Sequence, residues 1–131
     1  MMGSRGAALG WTVVRVVFGL TLALGHGLSK VTGDISRFAE GVAALGFPFP
    51  VFFAWCAALA ELLGGLCVAL GLLTRPAAAL AAFTMVVALF RHHADPFARM
   101  ELALLYFTVM ATAIVVGGGA ISLDARLGRR G

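Results

Sequence analysis

Charged side chains are scarce in this chain, at 12% of 131 residues, where ordinary soluble domains carry about 25%. The hydrophobic set supplies 61%, and the mean hydropathy is +1.00. A soluble fold of this length cannot hide so much apolar surface, which excludes a water-soluble globular domain. Cysteine is nearly absent: Cys56 and Cys67 lie in one apolar stretch, about 16 Å apart along a helix and too distant to pair within it. No CxxC occurs, which argues against dithiol chemistry inside the chain, and no haem, flavin or iron–sulfur binding motif is found. Acidic residues number six against ten Lys and Arg, a net charge of +4. The basic residues sit at the ends of apolar segments, a pattern of membrane topology and not of a nucleic-acid partner.

What the chain does have is long apolar runs. A bilayer core takes roughly 20 apolar residues per helix, and the hydropathy pattern predicts spans over 10–31, 51–73, 77–93 and 98–116. The expected fold is an all-α integral membrane protein, a four-transmembrane-helix bundle forming a single membrane domain. The first segment is too long for a signal-peptide core and carries Arg15, His26 and Lys30, so it is expected to be a retained span. Asp34 is a candidate N-cap, and Ile35, Phe38, Val42 and Leu45 repeat at helical spacing. They predict a short interfacial helix over 35–45, too short to cross. Gly46-Phe47-Pro48-Phe49-Pro50 then turns the chain back.

Four crossings place both ends and the Thr74-Arg75-Pro76 turn on one face, with Arg5, Arg75, Arg126, Arg129 and Arg130. The other face holds Lys30, Arg37, Arg91 and Arg99, diluted by Asp34, Glu40, Asp95 and Glu101. The positive-inside rule then orients the ends toward the cytoplasm.

Ionisable groups inside spans are default functional candidates, because burying a charge there costs at least about 2.5 kcal/mol. At about 100° per residue, Arg15, His26 and Lys30 share one face of the first helix. Glu61 lies near mid-depth of the second span and needs a proton or a cation, for which Arg15 and His26 are the candidates. Gly64 and Gly65 beside it permit either close helix packing or a slot for a flat ligand. Lys30, Arg91, His92, His93 and Glu101 gather at the outer interface, where such a cluster can move protons or hold a quinone head group. His92 and His93 point about 100° apart on a helix, which disfavours a shared metal. Each has a structural counterpart: Lys30 and Arg91 can snorkel, Glu61 can belong to a clasp that fixes helix register, and Tyr106 can simply pack.

These residues together resemble the DoxX family of small membrane proteins. The carriers are His26-Gly27 and Lys30, Ala60-Glu61-Leu62 with Gly64-Gly65, Gly71-Leu72-Leu73-Thr74-Arg75, Glu101-Leu102-Ala103-Leu104-Leu105-Tyr106, and Ser122-Leu123-Asp124. The pattern runs from about Val14 to Asp124 and departs at Gly117-Gly118-Gly119, where Gly-Pro-Gly is common, and at Met100, where an aromatic is frequent. The resemblance implies a four-helix bundle in the inner membrane and a role around quinones, thiosulfate:quinone oxidoreductase or thiol and oxidative stress. It maps the family's histidine, lysine and two glutamates onto His26, Lys30, Glu61 and Glu101.

The resulting expectation is a membrane subunit of a quinone-linked redox system that is not a self-sufficient enzyme. His26, Glu61 and Glu101 are the candidate proton-handling residues, and Lys30, Gly64, Gly65, His92, Tyr106 and Arg15 line the substrate site. No covalent cofactor is expected; a quinone is the expected bound molecule, and an oxidoreductase subunit, membrane lipid and a second copy of the chain are the expected partners. Two alternatives stand beside it: a scaffold recruiting soluble oxidoreductases, and a small transporter of hydrophobic or thiol compounds.

Overall fold

The computed structural model describes residues 4–129; Arg130, counted above among the basic residues, lies outside them. Ser4 opens the first helix, its hydroxyl accepting from the Ala7 amide. That helix, α1, runs Arg5–Thr32, with a wider π-helical stretch at Thr21–Gly27. Asp34 caps the amphipathic α2, Ile35–Ala44. The spanning helices α3, Pro50–Leu70, α4, Thr74–Arg91, and α5, Phe97–Val116, follow, and a single turn, α6, Leu123–Arg126, closes the described chain. Four helices are long and apolar enough to cross a membrane, and no strand occurs among the described residues.

The helix ends differ from the hydropathy-based boundaries for local reasons. α3 stops at Leu70 because Gly71 takes the left-handed conformation, at φ 69°. The Gly71 and Leu72 amides turn back to the Val68 and Cys67 carbonyls, a glycine-terminated helix stop. α4 begins at Thr74, earlier than expected, because Asp124 caps it from 50 residues away.

The spanning helices are arranged in the order α1, α3, α4, α5, with α5 returning to touch α1, and α2 lies across α3. Leu22, Val68, Met85, Tyr106 and Met110 form the core with the alanines Ala77, Ala78, Ala81, Ala82 and Ala113. Large apolar side chains such as Val13, Phe52, Leu63, Phe97 and Val115 face outward, as lipid contact requires. Backbones meet most closely where α1 crosses α3. A Cβ on Gly65 would sit 2.7 Å from the Gly19 carbonyl oxygen of α1, and on the other side of α3 one on Gly64 would sit 3.2 Å from the Ala77 carbonyl oxygen of α4.

The end of the bundle where Ser4 and α6 lie is tied by polar contacts between distant segments. Arg15, 1% exposed, donates through Nη1 to the Val68 and Ala69 carbonyls and through Nη2 to the Ile121 carbonyl, each at 2.7 Å, while its Nε is buried without a partner. Carbonyls in the last turn of a helix lack intrahelical partners and carry partial negative charge, so a guanidinium is suited to both needs. Asp124 accepts from the Leu73 amide at 2.8 Å and, through Oδ2, from the Thr74 amide and hydroxyl at 3.0 and 2.8 Å. Its own amide donates to the Gly71 carbonyl, and Trp11 Nε1 donates to that of Gly117 at 3.0 Å.

Burial alone would raise the Asp124 pKa, but the hydrogen bonds from Thr74 and Leu73, with Arg129 nearby, outweigh it and hold the carboxyl below the usual range. A carboxyl with a lowered folded-state pKa contributes stability that is complete above its unfolded value of about 4. That contribution disappears as pH falls through the folded-state value. Thermal unfolding in detergent across an acid series should therefore show wild type losing stability below pH of about 4 while Asp124→Asn, already weaker at neutral pH, changes less. Parallel curves would mean that Asp124 carries no charge-dependent stability.

Candidate functional site

At the opposite end, the last turns of α1, the body of α2 and the facing sides of α3 and α4 leave a cavity of about 510 Å³. That volume is within the 300–1,000 Å³ typical of small-molecule sites. Its walls are mostly apolar: Phe38 and Val42 come from α2, Phe47 from the following turn, Phe53 and Ala57 from α3, and Leu80 and Phe83 from α4. The interfacial helix is needed to close it, which gives this short amphipathic element a role in shaping the site.

Lys30 and Glu61 meet at the cavity wall. Lys30 Nζ donates to Glu61 Oε2 at 2.6 Å, and the same ammonium lies 4.7 Å from the centre of the Phe38 ring. The Glu61 side chain is 5% exposed and that of Lys30 25%. The pair therefore joins α1 to α3 and still presents part of the ammonium to the cavity. His92 lines the same cavity, and its Nδ1 is 2.6 Å from Asp95 Oδ2. That hydrogen bond, with the charges of His92, Arg99 and His93, holds the Asp95 carboxyl below its ordinary range against a smaller desolvation effect.

Several residues proposed from sequence lie elsewhere. Arg15 is not the partner of Glu61; its guanidinium is engaged by backbone carbonyls at the far end of the bundle. His26 does not join Lys30 either. Its ring packs edge-on against Tyr106, with centroids 5.4 Å apart, beside a shallow groove of about 450 Å³ bounded by Thr21, Leu24 and Gly25. Tyr106 OH donates to Thr21 Oγ1 at 2.9 Å. The π-helical stretch explains the separation, because a turn closed on the fifth residue advances less per residue than an α turn. A fixed 100° step therefore misplaces the faces on either side of it.

Glu101 is exposed on α5, a helix that contributes nothing to the cavity lining. Gly64 and Gly65 serve helix contact, with backbone atoms where a ligand slot would need space. Asp124 belonged to a recognisable Ser-Leu-Asp run, but its role as the cap of α4 was not read from the sequence.

These features define a four-helix membrane protein with a lysine–glutamate clasp at the wall of an apolar chamber. The DoxX family model matches residues 10–94, and the chain belongs to that family. The match covers the clasp and the chamber and stops before α5, so Glu101, Tyr106 and Asp124 fall beyond it. No curated protein and no solved structure matches the chain.

Proposed function

We propose that this DoxX protein binds a quinone, or a similar hydrophobic redox compound, in the chamber between α1, α2, α3 and α4, as the membrane subunit of a redox system. The observation that supports this most is the Lys30–Glu61 clasp at the wall of a mostly apolar cavity of about 510 Å³. An apolar chamber accepts a ring and the start of a lipid tail, while an ammonium with three N–H donors can serve Glu61 and a ring carbonyl together. Reducing a quinone places protons on its oxygens. A carboxylate beside an ammonium can hold and pass one, while a partner subunit supplies the electrons. In this reading the protein sits in the inner membrane with the Arg15 end cytoplasmic, where Arg5, Arg75, Arg126 and Arg129 follow the positive-inside rule.

The Arg15 and Asp124 contacts favour this over a purely structural clasp. The bundle already has a buried polar network fixing helix register, and the Lys30–Glu61 pair, unlike that network, faces open volume. The test is organic extraction of protein purified in mild detergent, with quinone quantified per chain for wild type and a Lys30→Met, Glu61→Gln double variant. Near-stoichiometric quinone in wild type, falling to the level of an unrelated four-helix membrane protein in the variant, is the expected result. Equal background in both would refute the quinone reading and favour the scaffold.

A further inference from the structure

The chamber's charge is unbalanced. Among the cavity-lining residues, Lys30 and Glu61 neutralise one another, and His92 is hydrogen-bonded to Asp95. Arg91, the last residue of α4, also lines the cavity and takes part in neither. Glu40 on α2 and Glu101 on α5 do not reach it within ion-pair distance. Its guanidinium is packed onto the backbone of α2 at Gly41, which is buried and where any Cβ would collide with it. The arginine thus rests in a cradle made by a missing side chain, at the polar rim of an apolar chamber. Arg91 is itself exposed at this rim, so its charge is available to an anion that enters the chamber, and the apolar walls beside it make the attraction stronger than in bulk water.

We propose that the chamber selects an acidic quinone, one whose ring bears an ionised hydroxyl, and that Arg91 is the residue that reads its charge. The proposal rests on the quinone reading of the cavity and names the class within it. An ionised hydroxyquinone is a vinylogous carboxylate, with its charge spread over two ring oxygens. A planar guanidinium can direct its paired N–H donors to the ionised oxygen and the ring carbonyl next to it, while the ring remains against the apolar walls. A neutral quinone of the same shape fills the chamber and leaves Arg91 unsatisfied.

Lawsone, a hydroxynaphthoquinone ionised at neutral pH, and its methyl ether, the same ring without the charge, separate these cases. Both are equilibrated by dialysis with the full chain in uncharged maltoside micelles. The ratio of the two affinities is compared between wild type and Arg91→Gln, so that partition into the micelle cancels. Wild type should bind lawsone about tenfold more tightly than the ether, the range of one charge-assisted hydrogen-bonded contact. Arg91→Gln should lose that preference while still binding the ether, which also shows that the variant is folded, and Arg91→Lys should keep part of it. Equal affinities in wild type, or a preference that survives Arg91→Gln, would overturn the proposal and leave the quinone reading in place. Failure of both compounds to bind wild type would overturn the two together.

Discussion

Replacing Arg15 with leucine is expected to remove about 3 kcal/mol or more of stability, as breaking a buried charged network does. The guanidinium is almost fully enclosed and serves three carbonyls, two at the end of α3 and one at Ile121 before α6. Leucine fills similar volume but removes a donor from all three carbonyls, and only that of Val68 keeps another, the Gly71 amide, in a setting where water replaces the lost donors poorly. Arg15→Lys should recover only part, because an ammonium is a point charge and cannot reproduce a fork that spans two segments. Denaturation in mixed dodecyl maltoside and SDS micelles measures this, with abundance in the membrane as a second readout. The Lys30→Met, Glu61→Gln double variant, which removes both partners of a part-buried pair and leaves no charge unpaired, should lose much less. A midpoint for Arg15→Leu equal to that of wild type would remove the arginine from its role as a staple.

Gly65→Val is the second large effect, expected to cost about 3 kcal/mol, the upper end for an overpacked core. The obstruction is backbone on the facing helix: a Cβ at position 65 would lie 2.7 Å from the Gly19 carbonyl oxygen and 2.9 Å from the Ala23 amide nitrogen. Neither can rotate away, so α1 and α3 must separate, and the Lys30–Glu61 distance must lengthen with them. Gly10→Ala is the control, since nothing lies within 4 Å of a Cβ there. It should be neutral or stabilising by up to about 1 kcal/mol through helix propensity. The two variants are compared in the same denaturant titration, and equal effects would show that the α1–α3 crossing is not limited by this glycine.

The number and order of helices were legible because hydropathy acts over whole turns, and lipid-facing residues leave a strong signal. The interfacial helix was legible from Asp34 and the spacing of Ile35, Phe38 and Val42. The chemistry of the site was legible only by residue type. Lys30, Glu61 and His92 could be named, but pairing Glu61 with His26 needs one angular step carried through α1, which the π-helical stretch breaks, and pairing it with Arg15 needs a common depth, whereas Arg15 meets α3 two turns away at Val68 and Ala69. Glycine at 64 and 65 carried two meanings, and only the position of the neighbouring backbone separates them. Asp124 was beyond reach for another reason: its partners, Leu73 and Thr74, are brought to it by the tertiary fold.

The unequal distribution of polar contacts makes the bundle behave like a pair of tongs. One end is pinned by Arg15, Trp11 and Asp124, whose hydrogen bonds tie segments from α1, the α3–α4 turn and the tail. The other end is held across α1 and α3 by one ion pair and the backbone contact of Gly27 with Leu62, while α2 rests on it through apolar contacts and the Arg91 guanidinium, with fewer directional bonds. Local opening is cheapest where few directional bonds must break. The chamber can therefore widen by a small outward swing of α2 and the last turn of α1 while the pinned end stays closed, so access to the chamber and integrity of the fold are governed by different residues.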